Sequence, residues 1–323
     1  MSLWGRFLTL FWFVAVCTPA AAQIYPNRPI TLVVPTAAGG AADAIARAVS
    51  VHLSQRLGQT IVIENKPGAN NQIAAEYVAK ANPDGHVLFF APETTFVVNP
   101  IIYSKLPYDP VKDFVPITGL AAVYQVLAAH PTLPAQNVAE LAARSKTKPG
   151  SVNFGTFGLG SSGHLNMEAF QAASGAKFTP VHYRGAAPAF ADVLAGHIPL
   201  MFVSFGSTIQ SWKSGKIKLL GIGRSQRLER YPELATIAEQ GVPRFEAKSW
   251  FGLFAPARTP PAVVARINAE VQQVFALAEF REKFLDANQM EAIVGAPEVM
   301  SEQIQKELGQ WAKVIRDGNL KLD

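Results

Sequence analysis

From Ile30 to Ile222, short β-rich runs alternate with segments whose apolar residues recur at helical spacing. That alternation restricts the chain to an α/β fold of strands flanked by helices. Ile30 to Val34 reads as a strand, and Ala41 to Leu57 as a helix with Ile45, Val49, Leu53 and Leu57 on one face and Gly58 as its stop. Ile61 to Ile63, a helix over Asn71 to Ala81, and a strand over Val87 to Ala91 continue the pattern. Tyr124 to Ala129 reads as a strand crossing into a second lobe. That lobe holds strands Val152 to Thr156, Thr179 to Tyr183, Leu200 to Val203 and Lys218 to Ile222, with helices His164 to Ala173 and Ala187 to Leu194. Ser249 to Ala255 reads as the returning strand. Helices over Pro261 to Leu277 and Glu298 to Ile315 follow, with a short turn near Glu279 to Asp286. In the last helix Met300, Ile304, Leu308, Trp311 and Ile315 form a stripe expected to dock on the protein's own core. The expected organisation is two α/β lobes, residues 23–123 plus 249–323 and residues 124–248, joined by two crossing strands around a cleft.

The 323 residues are enough for two lobes of ordinary size. With 49% hydrophobic and 16% charged residues, the chain is too apolar to remain disordered. A net charge of +5 with no basic run gives no nucleic-acid footprint. The single cysteine, Cys17, excludes a disulfide framework, and six scattered histidines give no metal-ligand spacing. No cofactor and no metal are expected.

Residues 1–22 have the pattern of an export signal: Arg6, an apolar run from Phe7 to Val16, then Ala20-Ala21-Ala22. The run is shorter than the about 20 residues a membrane-spanning helix needs. Cleavage is expected after Ala22, giving a periplasmic protein. Lipidation at Cys17 is the competing reading, disfavoured because Val16 is not small.

One local device occurs three times: a strand ends, a turn of small residues follows, and a helix begins. The turns are Pro35 to Asp43, Gly155 to His164 and Tyr183 to Pro188. A helix N-terminus presents unpaired N–H groups and a partial positive charge, and glycine and alanine let a ligand approach that backbone. One such turn is ordinary in any α/β fold; three, shared between the lobes, point to an anion cleft, with Thr156, Ser161 and Ser162 as neutral donors. Gly158-x-Gly160-x-x-Gly163 matches a dinucleotide fingerprint literally, but the acidic residue needed about 20 positions on is missing.

The chain resembles the substrate-binding proteins of tripartite tricarboxylate transporters, the Bug receptors, from Ile24 to Gly318. The resemblance is carried by Tyr25-Pro26-Asn27-Arg28-Pro29-Ile30, Gly39-Gly40-x-x-Asp43-x-x-Ala46-Arg47, Glu64-Asn65-Lys66-Pro67-Gly68-Ala69, Ala81-x-Pro83-Asp84-Gly85 and Leu106-Pro107-Tyr108-Asp109-Pro110. Gly158-x-Gly160-Ser161-x-x-His164-Leu165, Tyr183-Arg184-Gly185 and Trp250-x-Gly252-Leu253-x-Ala255-Pro256 complete it. It implies a type II periplasmic-binding-protein fold, a monomer that holds a small carboxylate between its lobes and delivers it to membrane subunits. It also implies ligand contacts from Ala37, Ala38, Gly40, Ala41 and Asp43 in the first turn. The second turn would contribute Thr156, Phe157, Gly160, Ser161 and Ser162, and the third Arg184, Gly185 and Ala186; His164, at a helix start, is expected as packing or as a further ligand contact. Where the family commonly has two prolines, this chain has Ala37 and Ala38, which loosens the first turn.

Glu93 and Thr94 follow a lobe-1 strand and are expected near the cleft mouth. An ionised Glu93 there would raise the cost of a second ligand carboxylate by about 1–4 kcal/mol, ranking tricarboxylates last. The competing placement points Glu93 to solvent. Ser162 is expected to donate to a ligand carboxylate and Asp43 to accept from a ligand donor or bridging water, unless Asp43 only supports its helix start. Catalysis is disfavoured: Ser161, Ser162 and His164 lack a G-x-S-x-G elbow, and Glu93 and Asp192 pair only if folding brings them together. A receptor serving a membrane sensor is the alternative that shares the fold.

Overall fold

The computed structural model describes residues 25–317. The expected signal peptide and its cleavage point lie outside the described residues. In the N-terminal part β1 (Ile30–Val34), α1 (Ala41–Leu57), β2 (Ile61–Asn65), α2 (Gln72–Ala79) and β3 (Val87–Pro92) alternate, with β1 pairing in parallel with both β2 and β3. Helix α1 buries Ile45, Val49, Leu53 and Leu57, and Gly58 at φ 70° ends it by donating to the Ser54 carbonyl. Two short helices follow β3, α3 (Thr94–Val97) and α4 (Asn99–Ile102).

Strand β4 (Phe114–Ala129) is a single 16-residue strand rather than a short crossing piece. Its sequence obscured this, because Pro116 and Gly119 interrupt the apolar run. The register against β9 (Lys248–Pro256) shifts at both places, so bulges absorb the breakers and the strand continues. β4 pairs antiparallel with β9 as far as Tyr124, then with β7 (Leu200–Ser204) from Gln125 onward. One strand therefore belongs to both halves of a ten-stranded sheet: eight strands follow the path β2-β1-β3-β9-β4-β7-β5-β6, with β5 at Asn153–Thr156 and β6 at Thr179–His182, and two more pair with β4 off that path.

The second half adds α5 (Val138–Thr147), β5 (Asn153–Thr156), α6 (Ser162–Ser174), β6 (Thr179–His182), α7 (Ala186–Ala195), α8 (Phe205–Lys213) and β8 (Lys218–Ile222), which flanks β4. Helices α5 and α8 were not anticipated. α5 carries one narrow buried face, Val138 and Leu141, and starts at an Asn137 cap that accepts from the Glu140 N–H. α8 opens directly from β7 with no intervening turn residues.

Behind β9 the chain forms α9 (Pro261–Ala276), α10 (Ala278–Phe280), a π-helical turn at Arg281–Asp286, β10 (Glu291–Ala292) on the β4 edge, and α11 (Pro297–Asp317). Met300 and Ile315 of α11 are buried in a cluster with Phe96, Trp250 and Phe254, so its stripe does dock on the core. The apolar clusters divide with the sheet: Ile30, Val49 and Leu253 lie in one, while Phe154, Phe170 and Phe202 lie in another.

Candidate functional site

The C-terminal ends of strands from both halves meet around a cavity of about 290 Å³. Its first wall is the turn before α1, where Ala37, Gly40 and Ala41 line the space. Asp43, one turn into α1, does not. Its Oδ2 accepts from the Gly39 N–H at 3.0 Å and from Arg47 Nε at 2.9 Å, and its Oδ1 from Asn65 Nδ2 at 3.1 Å. Burial raises the Asp43 pKa, but the Arg47, Gly39 and Asn65 hydrogen bonds outweigh it and hold the carboxyl below its ordinary range. With its oxygens so engaged, Asp43 ties the turn together instead of facing a ligand. Ala38, expected at the site, is exposed and outside the cavity wall.

The second wall is the turn before α6. Gly158 (φ 135°) and Gly160 (φ 72°) occupy backbone conformations that side chains resist, and they fold the turn back on itself. Phe157, Ser161 and Ser162 line the cavity; Thr156, Gly160 and His164 sit behind it. The Thr156 hydroxyl accepts from the Gly158 N–H, and His164 Nδ1 accepts from the Gly160 N–H at 3.1 Å. Burial, and then the neighbouring His182, lower the His164 pKa to about 4, so the ring is a neutral acceptor. Ser161 Oγ caps α6 by accepting from the main-chain N–H of His164, not from its ring. The His164 ring therefore makes no hydrogen bond to either serine hydroxyl.

Ser162 is set differently. Asn166 Nδ2 donates to Gln125 Oε1 at 3.0 Å, and Gln125 Nε2 donates to Ser162 Oγ at 3.0 Å. This fixed chain occupies the hydroxyl's acceptor side and leaves its proton for the cavity that Ser162 lines. Gln125 stands where β4 changes partner, a role that no motif in the sequence marks.

Arg184, Gly185 and Ala186 line the third wall at the start of α7. Gly185 (φ 132°) precedes the helix with no side-chain cap. A Cβ there would lie 3.6 Å from Ala37 Cβ, so the first and third turns approach each other across the cavity. Asp192 is held by the Tyr183 hydroxyl at 2.6 Å and does not meet Glu93.

Glu93 and Thr94 line the cavity too, but Glu93 is neither at the mouth nor solvent-facing: it is 2% exposed. Its Oε2 accepts from the Trp250 N–H at 3.2 Å. Burial, with the charge of Glu307 added, pushes its pKa up to about 8. The carboxyl is therefore neutral near pH 7, and the charge repulsion that ranked tricarboxylates last loses its basis.

The loop after β2 was recognised as a motif but not as site. There Ala69, Asn70 and Asn71 all have positive φ (45°, 46° and 73°) and line the cavity. Buried side chains hold this turn: Asn71 Nδ2 donates to Thr94 Oγ1, and Asn99 Nδ2 to the Asn70 carbonyl and the Tyr108 hydroxyl. Two asparagines after Gly68 were the available signal, since asparagine tolerates the left-handed region. Among the described residues no group of three His, Cys, Asp or Glu is arranged to hold a metal ion.

A cavity between two α/β halves, walled by helix starts and neutral donors, is the architecture of a solute-binding protein. The model of the tripartite tricarboxylate transporter family receptor matches residues 45–320, and the chain belongs to that family. Protein BugT of Bordetella pertussis is 31% identical over 308 residues, covering 95% of this chain and 94% of BugT. The structure of R. palustris Rpa4515 with adipate has TM-score 0.89 at 33% identity, covering 92% of this chain and 99% of that one. MatC of Rhodopseudomonas palustris with bound malate gives 0.84 at 31%, covering 90% and 100%.

Proposed function

We propose that this chain is a periplasmic receptor that binds a small carboxylate in the cavity and delivers it, unchanged, to membrane subunits of a tripartite tricarboxylate-type transporter. The observation that carries the reading is the Asn166–Gln125–Ser162 chain, which directs a hydroxyl donor into a cavity bordered by the α1, α6 and α7 starts. Those helix ends supply further donors and a favourable field for an anion, and Arg184 adds a charge. The adipate and malate held by the two relatives support the ligand class. Among the described residues, 25–123 with 249–317 form one lobe and 124–248 the other; β4 and β9 form the hinge, and the receptor acts as a monomer exported by cleavage after Ala22.

A thermal-shift panel of mono-, di- and tricarboxylates on the mature protein tests the receptor reading. A ligand at 100 times its Kd should stabilise by about 2.7 kcal/mol. No shift with any carboxylate tells against the assignment, as does chemical turnover of a bound one. N-terminal sequencing that starts at Gln23 supports the export step, and lipid on Cys17 contradicts it.

A further inference from the structure

We propose that Glu93 is a proton-bearing group coupled to the cavity, so that capture of an anionic ligand is accompanied by proton uptake and weakens at alkaline pH. This rests on the carboxylate reading of the site. Three observations lead to it. Glu93 lines the cavity but is sealed from solvent, and its Oε1 is buried without a hydrogen-bond partner. Its other oxygen has a main-chain N–H, not a cation, as partner. The same residue, Trp250, donates its indole N–H to Glu307 Oε2 at 2.6 Å, which places a second acid behind the first.

A carboxylate buried without a cation and backed by another acid is stable only when protonated. The value of about 8 follows from those two causes. Among the described residues, no cation is hydrogen-bonded to Glu93 or acts on it as a charge. α11 supplies Glu307, and the adjoining turn and α3 supply the neutral Asn71, Thr94 and Thr95. On β9, Lys248 is engaged by Glu291; at the first turn, Asp43 is paired with Arg47. Tyr103, Tyr183 and Arg184 also line the cavity, but Glu307 is the charge that acts on Glu93.

An anion entering this cavity adds negative charge near a group that can shed its own only by holding a proton. The bound state therefore retains the Glu93 proton to higher pH than the free state. By linkage, affinity is flat below pH 7 and falls by up to about tenfold between pH 7 and 9, if the complex keeps the proton throughout. Contact between ligand and Oε1 is not required, because the coupling is Coulombic through a poorly solvated wall.

The first test needs no ligand. The Trp250 indole ¹H–¹⁵N resonance of the mature protein, followed from pH 6 to 10, should titrate with a midpoint near 8. The midpoint should move down in Glu307→Gln, which removes the like charge, and the transition should vanish in Glu93→Gln. A resonance without a transition, or one unchanged in both variants, overturns the proposal. The second test is calorimetry at pH 8 with each carboxylate that stabilises the protein, in two buffers of different ionisation enthalpy. Proton uptake in wild type and its loss in Glu93→Gln are expected; binding without uptake overturns the coupling. If no carboxylate binds, the receptor reading fails, and the indole titration decides the state of Glu93 by itself.

Discussion

The main-chain N–H of Gly39 donates to Oδ2 of Asp43 at 3.0 Å, so the first acid of α1 folds back to close the turn that precedes its own helix. Arg47, four residues on, meets the same oxygen at 2.9 Å. The site's first wall is thus shaped by an acid that does not line the cavity. Asp43→Asn should lower stability by about 1–2 kcal/mol in urea unfolding, while ligand affinity stays within about twofold. Because the folded Asp43 pKa lies below its ordinary 3.8, its contribution is present above that pH and is lost as pH falls further. The difference between wild type and variant should accordingly shrink below pH 3.8. An affinity loss at unchanged stability would return Asp43 to the ligand.

Ser162→Ala should behave in the opposite way. Its hydroxyl accepts from Gln125 and has its proton free, so its removal costs about 1 kcal/mol of ligand binding, roughly fivefold in Kd, and little folding stability. Gln125→Ala breaks the chain at its centre and should reduce both. Calorimetry with a stabilising carboxylate, beside thermal melts of the free proteins, separates the two patterns.

His164 gives an acid-side signature. Its folded pKa of about 4 lies below the ordinary 6.5, so the unfolded chain takes up a proton between those values while the folded ring stays neutral. Stability from this residue is complete above pH 6.5 and declines as pH falls toward 4. Urea midpoints of His164→Gln, measured across that interval, should show a flatter pH dependence than wild type. Glu93, with its raised pKa, contributes with the reverse sign: stability falls as pH rises from 4.5 to about 8. Glu93→Gln should remove that decline, so the two variants bend the profile in opposite directions.

The approach of Ala37 to Gly185 makes closure testable. A bulky side chain in the first turn should wedge against the third. Ala37→Trp is expected to leave a larger radius of gyration by scattering in the presence of ligand. It should also weaken binding by at least about 1.4 kcal/mol, tenfold. Wild-type compaction and affinity in this variant would show that the two turns do not close on each other.

The order of most elements was legible in the sequence, because each is set by local physics: the spacing of Ile45, Val49, Leu53 and Leu57, the stop at Gly58, and small residues before each helix. The three small-residue turns that border the cavity were legible for the same reason, since a helix N-terminus carries its unpaired N–H groups wherever it occurs. The continuity of β4 through Pro116 and Gly119 was not, because bulges form only when β9 is present to pair with. Nor was the division of roles within the turns. Asp43, Thr156 and His164 look like ligand residues by position, yet Arg47, Gly158 and Gly160 claim their polar atoms in the folded chain. Glu93 shows the limit most directly. Its place after a strand is written in the sequence, but its charge is fixed by burial and by Trp250 and Glu307, distant in the chain: pairing of β9 with β3 brings the first, and docking of the helix from Pro297 brings the second.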